Sequence, residues 1–224
     1  QMPAPVDFYP PQGMDTDPAL RQKPLTGKTI AVAKDSAFSF IYDSNLRLLE
    51  QLGADYCFFS PIHDAQLPEA DALWLPGGYP ELHTAQLSAN HSMMASIQTF
   101  HQSGKAILAE CGGFLYCLDT LTDLEEVTYP LLGLIEGDGA MRGKRGCQGM
   151  QTAPLPVGDI RGHAHHKSLS HRTPEPIAHG RRQRHPAPGE PIYRAKGLTA
   201  TYLHLFFGSN PSAVAALFGA NGSV

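Results

Sequence analysis

Short apolar segments alternate with helical segments through the first half of this chain, and this alternation is the strongest constraint on its fold. Four apolar segments are predicted as strands: KTIAVA (28–33), DYCFFS (55–60), DALWLP (71–76) and KAILAE (105–110). Helices are predicted from Phe38 to Gly53, where apolar residues recur at helical spacing, and over about 81–102. Strands that alternate with helices favour an α/β fold in which helices cover both faces of a mostly parallel sheet.

The distribution of proline divides the chain into an arm and one domain. Residues 1–26 carry six prolines without any periodicity and are predicted as a linker or arm. Residues 27–224 are predicted as one domain, in which GLTATYLHLFF (197–207) forms another strand and AVAALF a helix. Three other segments carry weaker signals: a further strand at 131–136, a glycine-rich irregular stretch at 141–160, and 171–191, to which we assign no structure.

The charge and the cysteine pattern exclude several classes of function. A formal net charge of −4 gives no basic surface of the kind that nucleic acids require, so no nucleic-acid partner is expected. No run of about 18 apolar residues and no signal-peptide pattern occurs, so we expect a soluble, cytoplasmic protein without a membrane segment. The four cysteines form no C-x-x-C pair, so we expect free thiols and no metal site.

The segment AILAECGGFLYCL carries the chemistry that the sequence indicates most directly. It places Cys111 after a predicted strand and before Gly112, Gly113 and an apolar helical start, which is the arrangement of a nucleophile elbow. The N-terminus of the helix favours a thiolate, and the Gly112 N–H is predicted to face a developing oxyanion. A buried structural cysteine is the alternative interpretation, which Cys57 and Cys117 fit well. For Cys111 the two glycines favour the nucleophile.

A cysteine with an ordinary pKa of about 8.5 needs a base close to it in space. His204 is the best candidate, because it follows the strand ATYL and so lies at the carboxyl edge of the sheet, where ligands of α/β folds bind. Its rivals His163, His165 and His166 belong to the cluster RGHAHH, which could also be read as a metal site. No cysteine or carboxylate stands at ligand spacing beside them, so the metal interpretation is the weaker one.

The segment LPGGYPELH (75–83) supplies a second turn after a strand. Its glycines allow Gly78 to act as a second oxyanion donor, although an ordinary turn with Pro80 at the first helical position explains the pattern equally well. The chain contains neither G-x-x-x-x-G-K-[ST] nor G-x-G-x-x-G, so we expect no ATP, dinucleotide or other cofactor in this chain.

Seven segments taken in order add a resemblance to a known family. DSAFSFIYDSNLRLLEQLGA, FSP, LPGGYPELH, LSAN, AILAECGGFLYCL, RGHAHHKS and LTATYLHLFFGSNP resemble the glutamine amidotransferase domain of cobyrinic and hydrogenobyrinic acid a,c-diamide synthases. The resemblance implies a class I glutamine amidotransferase-like (flavodoxin-like) fold, with Cys111 as the nucleophile that forms a glutaminyl thioester and His204 as its base. We also expect Tyr79 and His163 to contribute to the oxyanion hole or the substrate site.

The resemblance also implies a partner for the domain. In these synthases an N-terminal P-loop domain uses ATP and Mg²⁺ to activate the a and c carboxylates of a corrinoid, and the glutaminase supplies the ammonia. The expected activity of the present chain is therefore glutamine hydrolysis, and a homodimer is compatible with it. The third member of the usual triad is absent, since Phe206 stands two positions after His204. RGHAHHKS departs from the family pattern RGHEFHYS at Ala164, His165 and Lys167.

Three alternative functions stay open from the sequence. The chain could be the amidotransferase domain of cobyric acid synthase, or of a related enzyme that acts on a tetrapyrrole or a cell-wall precursor. It could be a catalytically silent domain that binds a partner. It could also be a class I hydrolase or peptidase that uses the same elbow on another acyl group.

Overall fold

A seven-stranded sheet forms the centre of the structure, a computed structural model that describes residues 17–141, 148–183 and 185–219. The strands in chain order are β1 (Thr29–Ala33), β2 (Asp55–Phe59), β3 (Ala72–Leu75), β4 (Ala106–Glu110), β5 (Thr120–Thr122), β6 (Thr128–Pro130), β7 (Asp138–Met141), β8 (Gln148–Leu155), β9 (Gly158–His165), β10 (Ser168–His171), β11 (Ala178–His179), β12 (Arg181–Arg182), β13 (Pro191–Ala195), β14 (Leu198–Thr201) and β15 (His204–Leu205). The order across the central sheet is β11-β13-β14-β4-β3-β1-β2. The last five of these are parallel, whereas β13 and β11 pair antiparallel at one edge.

Helices cover both faces of this sheet, as the sequence predicted. They are α1 (Pro18–Gln22), α2 (Asp43–Gln51), α3 (Thr84–Ala89), α4 (His91–Gln102), α5 (Gly112–Cys117) and α6 (Pro211–Gly219), with short 3-10 turns at Pro80–Leu82 and Phe207–Ser209. Side chains alternate along β3, so that Leu73 and Leu75 pack in one core with α4 and α5, and Trp74 packs in the other with α2 and α6. Burial on both faces explains why β3 is apolar at every position and why β4 is apolar up to Glu110.

Two four-stranded sheets flank the central one. Their orders are β10-β7-β5-β6 and β12-β8-β9-β15. The second sheet brings β15 beside β9, with His204 opposite His163. His204, the predicted catalytic base, therefore lies in this flanking sheet and not in the central one.

The prediction of one strand over 197–207 was wrong. The chain leaves the central sheet after Thr201, whose hydroxyl accepts a hydrogen bond from the Leu203 N–H at 3.3 Å, and it then joins β9 as β15. The predicted strand at 131–136 was also wrong. The N–H groups of Leu132, Gly133 and Leu134 instead donate to carbonyls at and just beyond the end of α5, which leaves no ladder for a strand.

Both long helix predictions needed correction at their bounds. α2 begins at Asp43 rather than at Phe38, because the Asp35 carboxylate accepts the N–H groups of Ala37 and Phe38 and holds that segment in a turn. The helix predicted over 81–102 is divided at Asn90, whose side chain accepts the Met93 N–H and caps α4.

The prediction of an irregular stretch over 141–160 was wrong in its described part, because Gln148–Leu155 forms β8 and Gly158–His165 forms β9, which pair with each other. The segment 171–191, to which no structure was assigned, contains the two-residue strands β11 and β12. Residues 17–26, at the end of the predicted arm, pack on the domain, with Leu25 fully buried, whereas residues 1–16 lie outside the described part. None of the helices in the described ranges has the length and the apolar character to cross a membrane.

Candidate active site

Cys111 occupies a strained turn between β4 and α5. Its backbone angles are φ 48° and ψ −102°, a conformation that residues with a side chain rarely adopt and that proteins often retain at functional sites. The Cys111 N–H donates to the Thr201 carbonyl at 2.8 Å, and its carbonyl accepts the Leu115 N–H at 3.0 Å. The structure thus confirms the predicted strand–turn–helix arrangement around Cys111. Its role as the nucleophile stays a prediction.

Backbone packs against backbone around this turn, which explains the two glycines. A Cβ on Gly113 would overlap the carbonyl of Leu75 in the neighbouring strand. A Cβ on Gly112 would lie 2.8 Å from Cδ of Pro80 and 3.0 Å from the backbone nitrogen of Gly78. The turn after β3 and the turn after β4 therefore touch, and the nitrogen of Gly78 lies directly beside Gly112.

Cys111 opens onto a pocket of about 660 Å³. Gly78, Tyr79 and Gly112 line it with Cys111, so the structure brings together four of the six predicted site residues. A pocket of this size suits a small ligand such as an amino acid, since ligand sites usually measure about 300–1,000 Å³.

His204 is buried at the same edge of the sheet. Its side chain is 2% exposed, and its ring packs beside Gly77, where a Cβ would lie 2.9 Å from Nδ1. The ring of Phe40 lies 5.7 Å from it, and the ring of His163 stacks on it at 5.0 Å. Within the described residues, Nδ1 of His204 has no hydrogen-bond partner. Burial and the nearby histidines lower the pKa of His204 to about 4.

The register of β14 and β4 relates the two predicted catalytic residues. Thr201, the last residue of β14, pairs with Glu110, the last residue of β4. Cys111 is the first residue after β4, and His204 is the third residue after β14. Among the described residues no hydrogen bond joins Cys111 Sγ to the His204 ring. Burial raises the pKa of Cys111 to about 12, opposed by the Gly112 N–H and reinforced by nearby carboxylates.

His163 lies against the His204 ring and is not among the residues that line the pocket. Its Nε2 lies 3.4 Å from the Tyr42 hydroxyl, and burial followed by the charge of His165 lowers its pKa. The histidines that do line the pocket are His165 and His166. Contact with substrate therefore stays a prediction for His163, and its observed contact is with the predicted base.

Sequence reasoning missed the carboxylate of Glu110. Its side chain is 2% exposed, Oε2 accepts the Trp74 Nε1–H at 2.8 Å and Oε1 accepts the Leu205 N–H at 2.7 Å. Burial raises its pKa to about 7. The available signal was a charged residue that ends the otherwise apolar segment KAILAE.

A second buried pair, His166 and Glu190, was also missed. Nε2 of His166 lies 3.3 Å from Oε1 of Glu190, Nδ1 lies 3.0 Å from the Ser168 carbonyl, and the ring stacks on Tyr202 at 4.0 Å. Glu190 belongs to the segment left without assignment, so its pattern offered no signal. In the described ranges, no group of three histidine, cysteine or carboxylate side chains could hold a metal ion.

Solved structures define the class to which this fold belongs. A crystal structure of a glutamine amidotransferase matches with a TM-score of 0.59 at 16% identity, covering 85% of this chain and 98% of that one. The structure of PurLQS from Thermotoga maritima matches with a TM-score of 0.57 at 13% identity, covering 86% and 96%. The fold is therefore that of the glutamine amidotransferases, and the predicted fold class is confirmed.

The family follows from sequence. This chain belongs to the CobB/CobQ-like glutamine amidotransferase domain family, which matches residues 29–212. The hydrogenobyrinate a,c-diamide synthases of Stutzerimonas stutzeri and Pseudomonas aeruginosa are each 43% identical, over 97% and 96% of this chain and 49% and 48% of their own length. The cobyrinate a,c-diamide synthase of Herminiimonas arsenicoxydans is 45% identical over 89% of this chain and 46% of its own. The chain spans about half the length of these relatives.

Proposed function

We propose that this chain hydrolyses L-glutamine through Cys111 and supplies the ammonia to a synthetase module. The observation that carries the proposal is the position of Cys111, on a strained turn that opens onto the pocket of an amidotransferase fold. A thiol held in this way faces the pocket that a small acyl substrate would enter, and it lies beside backbone N–H groups.

The reaction divides into two acyl transfers. Cys111 Sγ attacks the carboxamide carbon of glutamine while His204 takes the thiol proton, and the oxyanion that forms is stabilised by the N–H groups of Gly78 and Gly112. The C–N bond then breaks, and His204 returns the proton to the leaving ammonia. Water, deprotonated by His204, attacks the thioester, which releases glutamate and restores the thiol.

Charges in the pocket support an amino acid as the substrate. Glu81 and Lys167 line the pocket together with Cys111. Burial raises the pKa of Glu81, while its own N–H and the charges of His83 and Lys167 act in the opposite direction. We assign the α-ammonium of glutamine to Glu81 and the α-carboxylate to Lys167, because the two signs match the zwitterion.

The second substrate is proposed from the relatives. Those that match most of this chain are named hydrogenobyrinate or cobyrinate a,c-diamide synthase, and they are about twice as long. We propose that the remaining half binds ATP and Mg²⁺, activates the a and c carboxylates of a corrinoid, and receives the ammonia. This chain then acts as the glutaminase of a glutamine-hydrolysing ligase in cobalamin biosynthesis.

Glutamate formation from glutamine tests the proposal. The wild-type chain, Cys111→Ala and His204→Ala are compared with and without a separately produced synthetase half. Cys57→Ala in β2 is the control thiol, expected to retain turnover, whereas Cys111→Ala should abolish it. Stimulation by the added half would support ammonia delivery. Folded wild-type protein that makes no glutamate under either condition would favour a silent partner-binding domain, and turnover of other amides would favour a hydrolase.

A further inference from the structure

Glu110 is buried between the two chain segments that carry Cys111 and His204. It precedes Cys111 directly, and its Oε1 accepts the N–H of Leu205, the residue directly after His204. Its other oxygen, Oε2, accepts the Trp74 Nε1–H at 2.8 Å. One carboxylate thus connects β3, β4 and β15 at the edge where the pocket opens.

A carboxylate in this position is costly, and only its hydrogen bonds offset that cost. Glu110 lies in an apolar strand, where leucine or methionine would bury equal volume without the penalty of removing a charge from water. Each of its oxygens meets one donor, and both distances are short, as expected for charge-assisted bonds. The contact with Leu205 is therefore specific rather than incidental.

The backbone of the segment that holds His204 is fixed by β9, by Asn45 and by Glu110. β15 is only two residues long and pairs with β9 on one side. The Leu205 carbonyl accepts the amide of Asn45 at 2.8 Å, and the Leu205 N–H donates to Glu110. Within the described residues the His204 ring has no hydrogen bond at Nδ1, so the position of its backbone and its stacking on His163 have to fix its place.

We propose that Glu110 is a positioning residue for the catalytic pair. Its carboxylate holds the Leu205 N–H and thereby fixes His204 relative to the turn that carries Cys111. In this way it provides an orienting function that the side chain of Phe206, 42% exposed and apolar, cannot provide. The inference rests on the proposed function, in which His204 is the base for Cys111.

Three variants separate the contact to Leu205 from the contact to Trp74. Glu110→Met removes both acceptors at similar volume, and Trp74→Phe removes only the donor to Oε2. Glu110→Gln offers one oxygen to two donors, so one donor loses its acceptor. In the double variant Glu110→Gln/Trp74→Phe, the indole donor is absent and the glutamine oxygen is available to the Leu205 N–H. The double variant therefore restores the contact between residue 110 and Leu205.

Steady-state glutamine hydrolysis, with unfolding temperatures measured alongside, gives the first readout. We expect Trp74→Phe to keep kcat close to the wild-type value, and Glu110→Met to lower kcat about tenfold or more with little change in KM, because small displacements of catalytic groups are costly in rate. The double variant Glu110→Gln/Trp74→Phe should be more active than Glu110→Gln alone. If Glu110 has a purely structural role, the double variant should be less active than Glu110→Gln alone, because Trp74→Phe then only lowers stability further.

The rate of Cys111 alkylation by iodoacetamide at pH 7 gives a readout that does not need turnover. Glu110→Met should show the same reduced rate as His204→Ala, while Trp74→Phe should keep the wild-type rate. Wild-type protein without turnover would contradict the proposed function, and the alkylation rates would still decide the role of Glu110. Equal kcat or alkylation rates in Glu110→Met and Trp74→Phe would overturn the inference, as would a double variant no better than Glu110→Gln. If Glu110→Met does not fold, the volume-conserving glutamine variants decide the question.

Discussion

At the residue scale, burial decides which protonation states Cys111 and His204 hold before a substrate arrives. It raises the pKa of the thiol to about 12 and lowers the pKa of the imidazole to about 4. At neutral pH both groups are therefore uncharged, and the resting site holds no thiolate–imidazolium ion pair. Proton transfer then accompanies the attack of Cys111 on the substrate, and the N–H of Gly112 favours the thiolate at that moment.

The buried His204 predicts a loss of stability in acid. Its folded pKa of about 4 lies below its ordinary value of 6.5, so the unfolded chain binds a proton first as the pH falls below about 6.5. Between pH 7 and pH 4.5 the free energy of unfolding should drop by about 2–3 kcal/mol from this residue. His204→Gln should remove that part of the pH dependence, measured by urea unfolding at both values.

The exposed His63→Gln is the matched control and should keep the wild-type difference between the two pH values. A wild-type chain and a His204→Gln chain with the same difference would show that the imidazole is not buried in neutral form. Glu110 acts in the opposite direction over the same range of pH, in the wild-type chain and in both variants. Its raised folded pKa stabilises the fold at low pH, and that contribution is lost as the pH rises through about 7.

At the scale of elements, the turns after β3 and β4 form one unit, because their backbones touch without side chains between them. Gly113 faces the carbonyl of Leu75, which cannot move without breaking the sheet. Gly112 faces the side chain of Pro80 and the nitrogen of Gly78, which would lie 3.0 Å from a Cβ at that position. Gly113 is therefore required by the fold, and Gly112 by the geometry of the site.

Alanine at each glycine should separate these two requirements. Gly113→Ala is expected to lower the free energy of unfolding by about 1–3 kcal/mol, the usual cost of overpacking. Gly112→Ala should cost less stability but displace the Gly78 N–H, and it should lower kcat by about 100-fold, as loss of an oxyanion donor does. Urea unfolding and glutamate formation measure the two effects. If Gly112→Ala and Gly113→Ala lost the same stability and kept the same activity, the two glycines would not have these separate roles.

At the scale of the whole molecule, the segment before the central sheet is joined to the last helix. Asp17 accepts the Ala19 N–H at 2.9 Å and so caps α1, and the same carboxylate accepts the Ser212 hydroxyl at 2.6 Å in α6. Asp17 and Ser212, 195 residues apart in sequence, thus connect two elements through the carboxylate that caps α1. The folded unit therefore extends before residue 27.

Removing this cap should weaken the whole domain. Asp17→Ala is expected to lower the free energy of unfolding by about 1 kcal/mol, because the helix loses a side-chain acceptor at its N-terminus. The comparison is Asp55→Ala, which removes an exposed carboxylate at the start of β2. Thermal unfolding of both variants checks the prediction, and equal unfolding temperatures would argue against a structural role for the segment.

Local patterns in the sequence determined the central strands, the helices on both faces and the turn at Cys111. Each of these depends on residues within about one turn or strand of each other, so periodicity, the two glycines of the elbow and the strand end carry the information. The family resemblance rests on the same local segments. Gly78, Tyr79 and Gly112 belong to these segments and line one pocket with Cys111, while their roles in binding stay predictions.

Only the tertiary structure decided where the chain turns from β14 into β15, which partner each buried carboxylate has and what faces His204. These outcomes depend on contacts between distant positions, such as Glu110 with Leu205, 95 residues apart, and His166 with Glu190. A local pattern cannot specify them, because the donor, the acceptor and the burial that makes their bond matter are assembled only when the sheets pack together.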